Sequence, residues 1–254
     1  MSAQAKMQSV FTPPRSLKPK LSHFCPGCQH GVIHRLVAEQ LDAYGLREET
    51  IGVASVGCSV FLYDYFDVDA VEAPHGRAAA VATGVKRAQP DKFVFTYQGD
   101  GDLAAIGTAE IVHAANRGEQ FTVVFVNNAV FGMTGGQMAP TTLEGQVTTT
   151  SPTGRNVDLA GPPIRVSEML ATLEGAGYVA RVAVNNIKNL MKAKKALKRA
   201  FEYQTKGLGF GFVEVLSTCP TNWKMNPLEA NEHVGNEMIS YFPLGVYKDA
   251  AKGV

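Results

Sequence analysis

Residues 93–137 narrow the folds open to this chain more than any other segment. Phe93, Val94, Phe95, Thr96 and Tyr97 form an apolar run that stops at Gly99-Asp100-Gly101-Asp102. Leu103, Ile106, Ile111 and Val112 then recur at helical spacing up to Asn116. A second apolar run, 121–126, ends in Asn127-Asn128, and a loop carrying Gly132, Gly135 and Gly136 follows. Strand, glycine turn, helix and strand make one βαβ unit. Its crossover sets the two strands parallel with their C-terminal ends at one edge. The expected fold is therefore one α/β domain, a mostly parallel sheet with helices on both faces and ligands bound at that edge.

Asp100 and Asn128 both fall there. A carboxylate and an amide oxygen suit a hard cation such as Mg²⁺, which takes its remaining ligands from phosphates and water. Gly99 and Gly101 let the backbone approach closely, and a helix starting near Asp102 would aim free N–H groups at an anion. Asp100 and Asp102 would repel a bare diphosphate, so the metal has to bridge them. Gly-Asp-Gly alone also suits a tight turn with a capping aspartate. Asn128 at the end of the next strand, with a glycine-rich loop behind it, favours the diphosphate site.

With 254 residues, 45% of them hydrophobic, the chain is long enough to bury one sizeable core. A formal charge of +1 gives no reason to expect nucleic acid or an anionic membrane as partner. No apolar run approaches the roughly 20 residues of a membrane span, and no signal-peptide core opens the chain. A cytoplasmic location is expected, and there the four cysteines point to metal or redox chemistry more than to disulfides.

Cys25-Pro26-Gly27-Cys28 precedes an amphipathic helix carrying Val32, Ile33, Leu36, Val37 and Leu41. Such a pair reads as a redox dithiol, half a zinc site or half an iron–sulfur site. The proline-rich arm before it does not supply the strand that a thioredoxin-like dithiol expects. Cys58 follows an expected strand at 51–56, and Cys219 follows another at 209–216. Lone cysteines past strand ends are usually inert. Here all four fall at the edge that holds Asp100 and Asn128. Zinc modules place their cysteines as two close pairs, so one pair with two remote singles fits a [4Fe–4S] cluster better.

Residues 1–22 read as an extended arm, disordered or wrapped on a partner; 23–225 as the main domain; 226–254 as an extension made for packing or subunit contact. His75 and Arg77 precede a small-residue helix and point either to an anion or to a cap with a solvated arginine. The aperiodic stretch 129–164 reads as a lid or a subunit contact. A helix at 167–174, a strand at 178–184 and a helix at 186–203 follow. The last carries Lys188, Lys192, Lys194, Lys195, Lys198 and Arg199, a solvated face or one for an acidic partner.

Taken together, Cys-Pro-Gly-Cys, Gly57-Cys58-Ser59, His75-Gly76-Arg77, Gly-Asp-Gly-Asp, Asn-Asn, Gly132-Met-Thr-Gly-Gly-Gln137 and Cys219-Pro220 resemble the β subunit of the 2-oxoacid:ferredoxin oxidoreductases. The resemblance runs from Phe24 to about Asn226. It implies that Cys25, Cys28, Cys58 and Cys219 ligate a [4Fe–4S] cluster, and that Asp100, the Asn128 side chain and the Val130 carbonyl hold Mg²⁺. Thiamine diphosphate would touch Val56, Gly57, Cys58, Ser59, His75, Gly101, Asp102, Gly132 and Met133. Gln29 and Phe131 depart from the family's more familiar Gly and Tyr.

The implied reaction is oxidative decarboxylation of a 2-oxoacid, with coenzyme A accepting the acyl group and ferredoxin the electrons. An α subunit with the pyrimidine-binding domain would supply the activating glutamate, and no general acid or base is assigned within this chain. The loop after Asn128 offers no cation to a second carboxylate, whereas 2-oxoglutarate relatives can carry lysine at the place of Gly135. The expected substrate is branched and apolar, such as 2-oxoisovalerate, with 2-oxoglutarate and pyruvate as alternatives. A non-redox thiamine half-enzyme with zinc-binding or incidental cysteines is the competing class.

Overall fold

A computed structural model describes residues 12–251. The strands are β1 (Thr50–Ala54), β2 (Asp69–Glu72), β3 (Phe93–Gly99), β4 (Thr122–Asn127), β5 (Val130–Phe131), β6 (Gln137–Met138), β7 (Ala176–Ala183), β8 (Phe210–Leu216) and β9 (Gly245–Asp249). The helices are α1 (His30–Ala43), α2 (Leu62–Tyr65), α3 (Ala78–Ala88), α4 (Thr108–Asn116), α5 (Val157–Ala160), α6 (Val166–Ala171), α7 (Ile187–Thr205), α8 (Pro220–Trp223), α9 (Pro227–His233) and α10 (Ile239–Tyr241).

One sheet runs in the order β2-β1-β3-β4-β8-β7-β9. Every neighbouring pair from β2 to β7 is parallel, and only β9 lies antiparallel, along β7. The expected parallel pairing of β3 and β4 is present, with Tyr97 opposite Val124 and Gly99 opposite Val126. Residues of α1 and α7 pack on one face; those of α3, α4 and α6 pack on the other. Burial on both faces explains why β4 reads as an unbroken apolar run instead of an alternating one. Each of Val123, Val124, Phe125 and Val126 is fully buried, and such burial contributes about 1.5–3 kcal/mol per side chain.

Five segments differ from the sequence expectation or add to it. The helix read from 103 to 116 is interrupted: residues Asp102–Ile106 form a π-turn, closed by Gly107 N–H donating to the Asp102 carbonyl at 2.9 Å. A Cβ on Gly107 would sit 2.9 Å from the Gly76 carbonyl oxygen, so the neighbouring turn leaves no room for a regular helix of larger residues. Ile106, one of the apolar residues read at helical spacing, ends this π-turn and is 50% exposed. The edge strand β2 had no apolar alternation to reveal it; three of its four residues are exposed, as suits a sheet edge.

Within the stretch 129–164 one side chain gathers carbonyls from both ends of a long loop. Arg155 is 5% exposed and donates six hydrogen bonds to the carbonyls of Ala139, Pro140, Thr142, Ala160, Gly161 and Pro162. Residues 226–251 build α9, α10 and β9, and Val234, Met238 and Phe242 form a small core with Ala183 and Leu216. Of the N-terminal arm, 12–22 lies on this chain's own helices: Ser16 donates to Asp42, and Leu17 bridges to Phe66. The rest of that arm falls outside the described residues. Among the described residues no helix is long and apolar enough to cross a membrane.

Candidate functional site

The C-terminal ends of β1, β3 and β4 open into a cavity of about 290 Å³. It is lined by Val56, Gly57, Cys58, Ser59, His75, Gly101, Asp102, Gly132 and Met133, all nine residues expected to touch the cofactor. Asp100, Asn128 and Val130 line it as well, so the set read from four separate segments meets in one place. His30, Gly99, Phe131 and Thr134 complete the wall.

Asp100 is almost fully buried. Its Oδ1 accepts from Gly101 N–H at 2.9 Å and its Oδ2 from Thr141 Oγ1 at 2.7 Å. Burial nevertheless pushes its carboxyl up to about 6, against the pull of those bonds. A buried carboxylate in this state gains from a cation. Asp102 is held at both oxygens, by Gly76 N–H and by Gln98 Nε2, each at 2.6 Å, and burial raises it too. His75 Nδ1 lies 3.1 Å from the same carboxylate. Arg77, by contrast, pairs with Glu110 and does not line the cavity, so of the two residues of that turn only His75 reaches it.

The two asparagines separate. Asn127 ends β4 and donates from Nδ2 to buried Glu214 at 2.8 Å. Asn128 faces the cavity, accepting at Oδ1 from Val130 N–H at 3.4 Å while its carbonyl accepts from Trp223 Nε1. Between them and Val130, Ala129 has φ of +59°, a left-handed conformation uncommon for a residue with a Cβ. The fully buried surroundings and a 2.6 Å bond from Thr142 Oγ1 to its carbonyl hold it there. Strain of this kind is tolerated where the surrounding structure over-determines it.

The cysteines converge on the same edge. A Cβ on Gly132 would lie 3.4 Å from Cys58 Sγ and 3.6 Å from Cys219 Sγ. The Cys28 thiol is pushed up to about 12 and that of Cys58 to about 11, chiefly by burial, with the neighbouring thiols adding to both shifts. Cys219, also raised by burial, accepts a bond from Asn222 Nδ2 at 3.1 Å, and Cys25 is exposed. Among the described residues no three His, Cys, Asp or Glu side chains are gathered around a single-ion site. A cluster that gives each thiolate its own iron needs a wider spread of sulfurs than one Zn²⁺ at about 2.3 Å.

The two family departures have structural work here. Gln29 donates to Asn231 at 2.7 Å and accepts from Thr218 N–H, pinning the Cys25–Cys28 turn to the segment carrying Cys219. Phe131 packs its ring against the place where Gly101 has no side chain. Thr141, Gln98 and His30 were not singled out from sequence. Their position beside Asp100, beside Asp102 and in the cavity wall depends on contacts between distant segments.

A parallel sheet carrying this cavity at its strand ends is the ligand-binding arrangement of the open α/β class. Residues 55–215 match the family described as "Thiamine pyrophosphate enzyme, C-terminal TPP binding domain". The chain belongs to the 2-oxoacid:ferredoxin oxidoreductases, as their β-type, thiamine diphosphate-binding subunit. It is 47% identical over 243 residues to ketoisovalerate oxidoreductase subunit VorA of Methanothermobacter thermautotrophicus, covering 96% of this chain and 51% of that protein. The chain thus spans about half the length of that relative. It is 38% identical over 211 residues to 2-oxoglutarate synthase subunit KorB of Archaeoglobus fulgidus, covering 83% of this chain and 74% of KorB. A solved structure of the 2-oxoglutarate:ferredoxin oxidoreductase from Magnetococcus marinus, with 2-oxoglutarate, coenzyme A and succinyl-CoA bound, superposes with a TM-score of 0.76. That match is at 25% identity and covers 96% of this chain and 86% of the other.

Proposed function

We propose that the chain is the β subunit of an enzyme that oxidatively decarboxylates a branched, apolar 2-oxoacid such as 2-oxoisovalerate to its acyl-coenzyme A and CO₂. The observation that carries this is the meeting of Asp100, Asn128, Asp102 and His75 in one cavity whose wall includes Cys58. Mg²⁺ would be held by Asp100, the Asn128 side chain and the Val130 carbonyl, a set of hard oxygen donors. Thiamine diphosphate would rest against Gly101, Asp102, Gly132, Met133, His75 and residues 56–59; when bound it supplies the electron sink for decarboxylation. Cys25, Cys28, Cys58 and Cys219 would hold a [4Fe–4S] cluster as the exit for electrons to ferredoxin. A partner α subunit would complete the site.

The chain's own residues then have definite tasks. Gly101 and Gly132 admit the cofactor to the backbone, and the Asp102–Gln98–Gly76 bonds hold the turn that carries His75. Among the described residues neither lysine nor arginine lines the cavity. A second substrate carboxylate buried there would have no positive partner from this chain. That favours a branched apolar side chain over 2-oxoglutarate, in keeping with the VorA relative's name.

The test uses the assembled complex, purified without oxygen. Cys58→Ala and Cys219→Ala should each lower iron content and broad visible absorbance. Asp100→Ala should remove Mg²⁺-dependent thiamine diphosphate binding measured by calorimetry. Unchanged iron content in both cysteine variants, or unchanged cofactor affinity in the aspartate variant, would refute the corresponding assignment.

A further inference from the structure

One side chain in the cavity wall is unused by everything above. His30 is the first residue of α1, two residues beyond Cys28, and is only 2% exposed. Its ring stacks on Phe24 with centroids 4.8 Å apart and planes at 17°, which fixes its tilt. Nδ1 lies 2.7 Å from the Tyr97 hydroxyl, which is itself fully buried. Among the described residues Nε2 makes no hydrogen bond, and His30 belongs to the wall of the cavity that Val56, Cys58 and Ser59 also line.

Hydrogen-bond satisfaction assigns the tautomer. Among the described residues the Tyr97 hydroxyl has no partner except Nδ1. A buried phenol left without an acceptor is costly, so it donates to Nδ1. Nδ1 is then the acceptor of a neutral imidazole, and the ring's single hydrogen sits on Nε2. Nε2–H is therefore a donor with no partner. Several other polar groups of the wall are already engaged: Asp102 by Gln98 and Gly76, Thr134 by Gln137, Ser59 by Ser55, while His75 Nδ1 lies against the Asp102 carboxylate.

We infer that His30 is a catalytic residue of this subunit, its Nε2–H donating to the 2-oxo oxygen of the bound substrate, with Tyr97 as the positioning residue behind it. This rests on the 2-oxoacid reading of the cavity. As the carbonyl carbon is attacked, negative charge develops on that oxygen, and a donor fixed in advance stabilises it without reorganisation. No proton leaves the ring: Nδ1 could replace it only by taking Tyr97's proton, leaving a buried tyrosinate. The contribution is a hydrogen bond that strengthens as charge builds.

The experiment uses the assembled complex loaded with Mg²⁺ and thiamine diphosphate, and 2-oxoisovalerate as substrate. Cofactor affinity is measured first by calorimetry. Failure of the unaltered protein to bind would sink the functional reading itself, not the role of His30. With binding established, His30→Phe should lower kcat by about 10²–10³-fold, the cost of losing one oxyanion donor, with KM and cofactor affinity little changed. His30→Gln keeps an N–H donor and should restore kcat to within about tenfold of the original. Tyr97→Phe keeps the ring packing, frees the tautomer and should lower kcat at least about tenfold, which carries the test even where His30→Phe fails to fold.

A second readout is spectroscopic. With a cofactor analogue that cannot react, the carbonyl stretch of ¹³C-labelled 2-oxoisovalerate should lie at lower frequency in the original protein and His30→Gln than in Tyr97→Phe or His30→Phe. Turnover and carbonyl frequency both unmoved by Tyr97→Phe and His30→Phe would overturn the proposal. So would a loss of kcat in His30→Phe that His30→Gln fails to restore while cofactor still binds.

Discussion

Arg181 Nε donates to Glu214 Oε2 at 2.8 Å, and both side chains are buried between β7 and β8. The pair sits at the centre of a network. Arg181 also reaches Glu168 and the Tyr247 hydroxyl, while Glu214 accepts from Ser167 and from Asn127. Asn127 immediately precedes Asn128, so the network anchors the strand end from which the candidate metal ligand projects.

Removing one member of this pair leaves the other charged and unmatched. Arg181→Met should destabilise the protein by about 3–5 kcal/mol in urea unfolding. The double variant Arg181→Met with Glu214→Met should recover at least half of that loss, because the fully buried charge is gone and only the partly exposed Glu168 loses its partner. A double variant as unstable as the single would show that packing, not charge, sets the cost.

The cluster under α1 gives the protein an acid limit. His30 is pushed down to about 4, and His34 well below its ordinary value, chiefly by burial. A histidine lowered on folding contributes stability that is complete above its unfolded value of about 6.5 and is lost as pH falls toward the folded value. For His30, about 2.5 units of lowering correspond to roughly 3 kcal/mol. His34 Nε2 has no partner, and its ring sits among Phe24, Tyr65, Phe66 and Tyr97. His34→Phe should match or exceed the original stability at pH 7.5 and lose less between pH 6.5 and 4. Equal slopes for the two proteins would rule out His34 as a titrating contributor.

Gly101 has no room to grow. A Cβ there would approach Phe131 Cγ to 2.9 Å. Gly101→Ala should lower thiamine diphosphate affinity of the assembled complex by at least about tenfold, since the loop carrying Val130 and Gly132 would have to move. Gly101→Ala with Phe131→Ala should recover part of it. Calorimetry on the two variants decides between steric displacement and a backbone effect.

Substrate choice is read from kcat/KM in the reconstituted complex. 2-Oxoisovalerate should exceed 2-oxoglutarate by at least about tenfold, reflecting the unpaired second carboxylate. A clear preference for 2-oxoglutarate would mean that a cation from the partner subunit completes the pocket.

Much of the site was legible in the chain itself, because its parts are local. A glycine-flanked aspartate at a strand end and an asparagine at the next are written in consecutive residues, and the crossover rule then places them at one edge. Two apolar strands joined by a helix determine a parallel pair wherever the helix covers the sheet, and β3 and β4 obey this. The same rule located Cys58 and Cys219, each just past a strand end.

What the linear order could not decide was set by contacts between segments remote in the chain. The start of the expected helix is a π-turn at Asp102–Ile106, packed where Gly107 meets the Gly76 turn, and it leaves Ile106 half exposed. Arg155 orders the residues after Asn128 through carbonyls from 139 to 162, which no periodicity announces. Asn127 and Asn128 are chemically alike, yet one is drawn to Glu214 on β8 and the other is left to the cavity. A side chain's role there depends on which partner the fold brings within hydrogen-bonding reach, and that distance is a property of the packed chain alone.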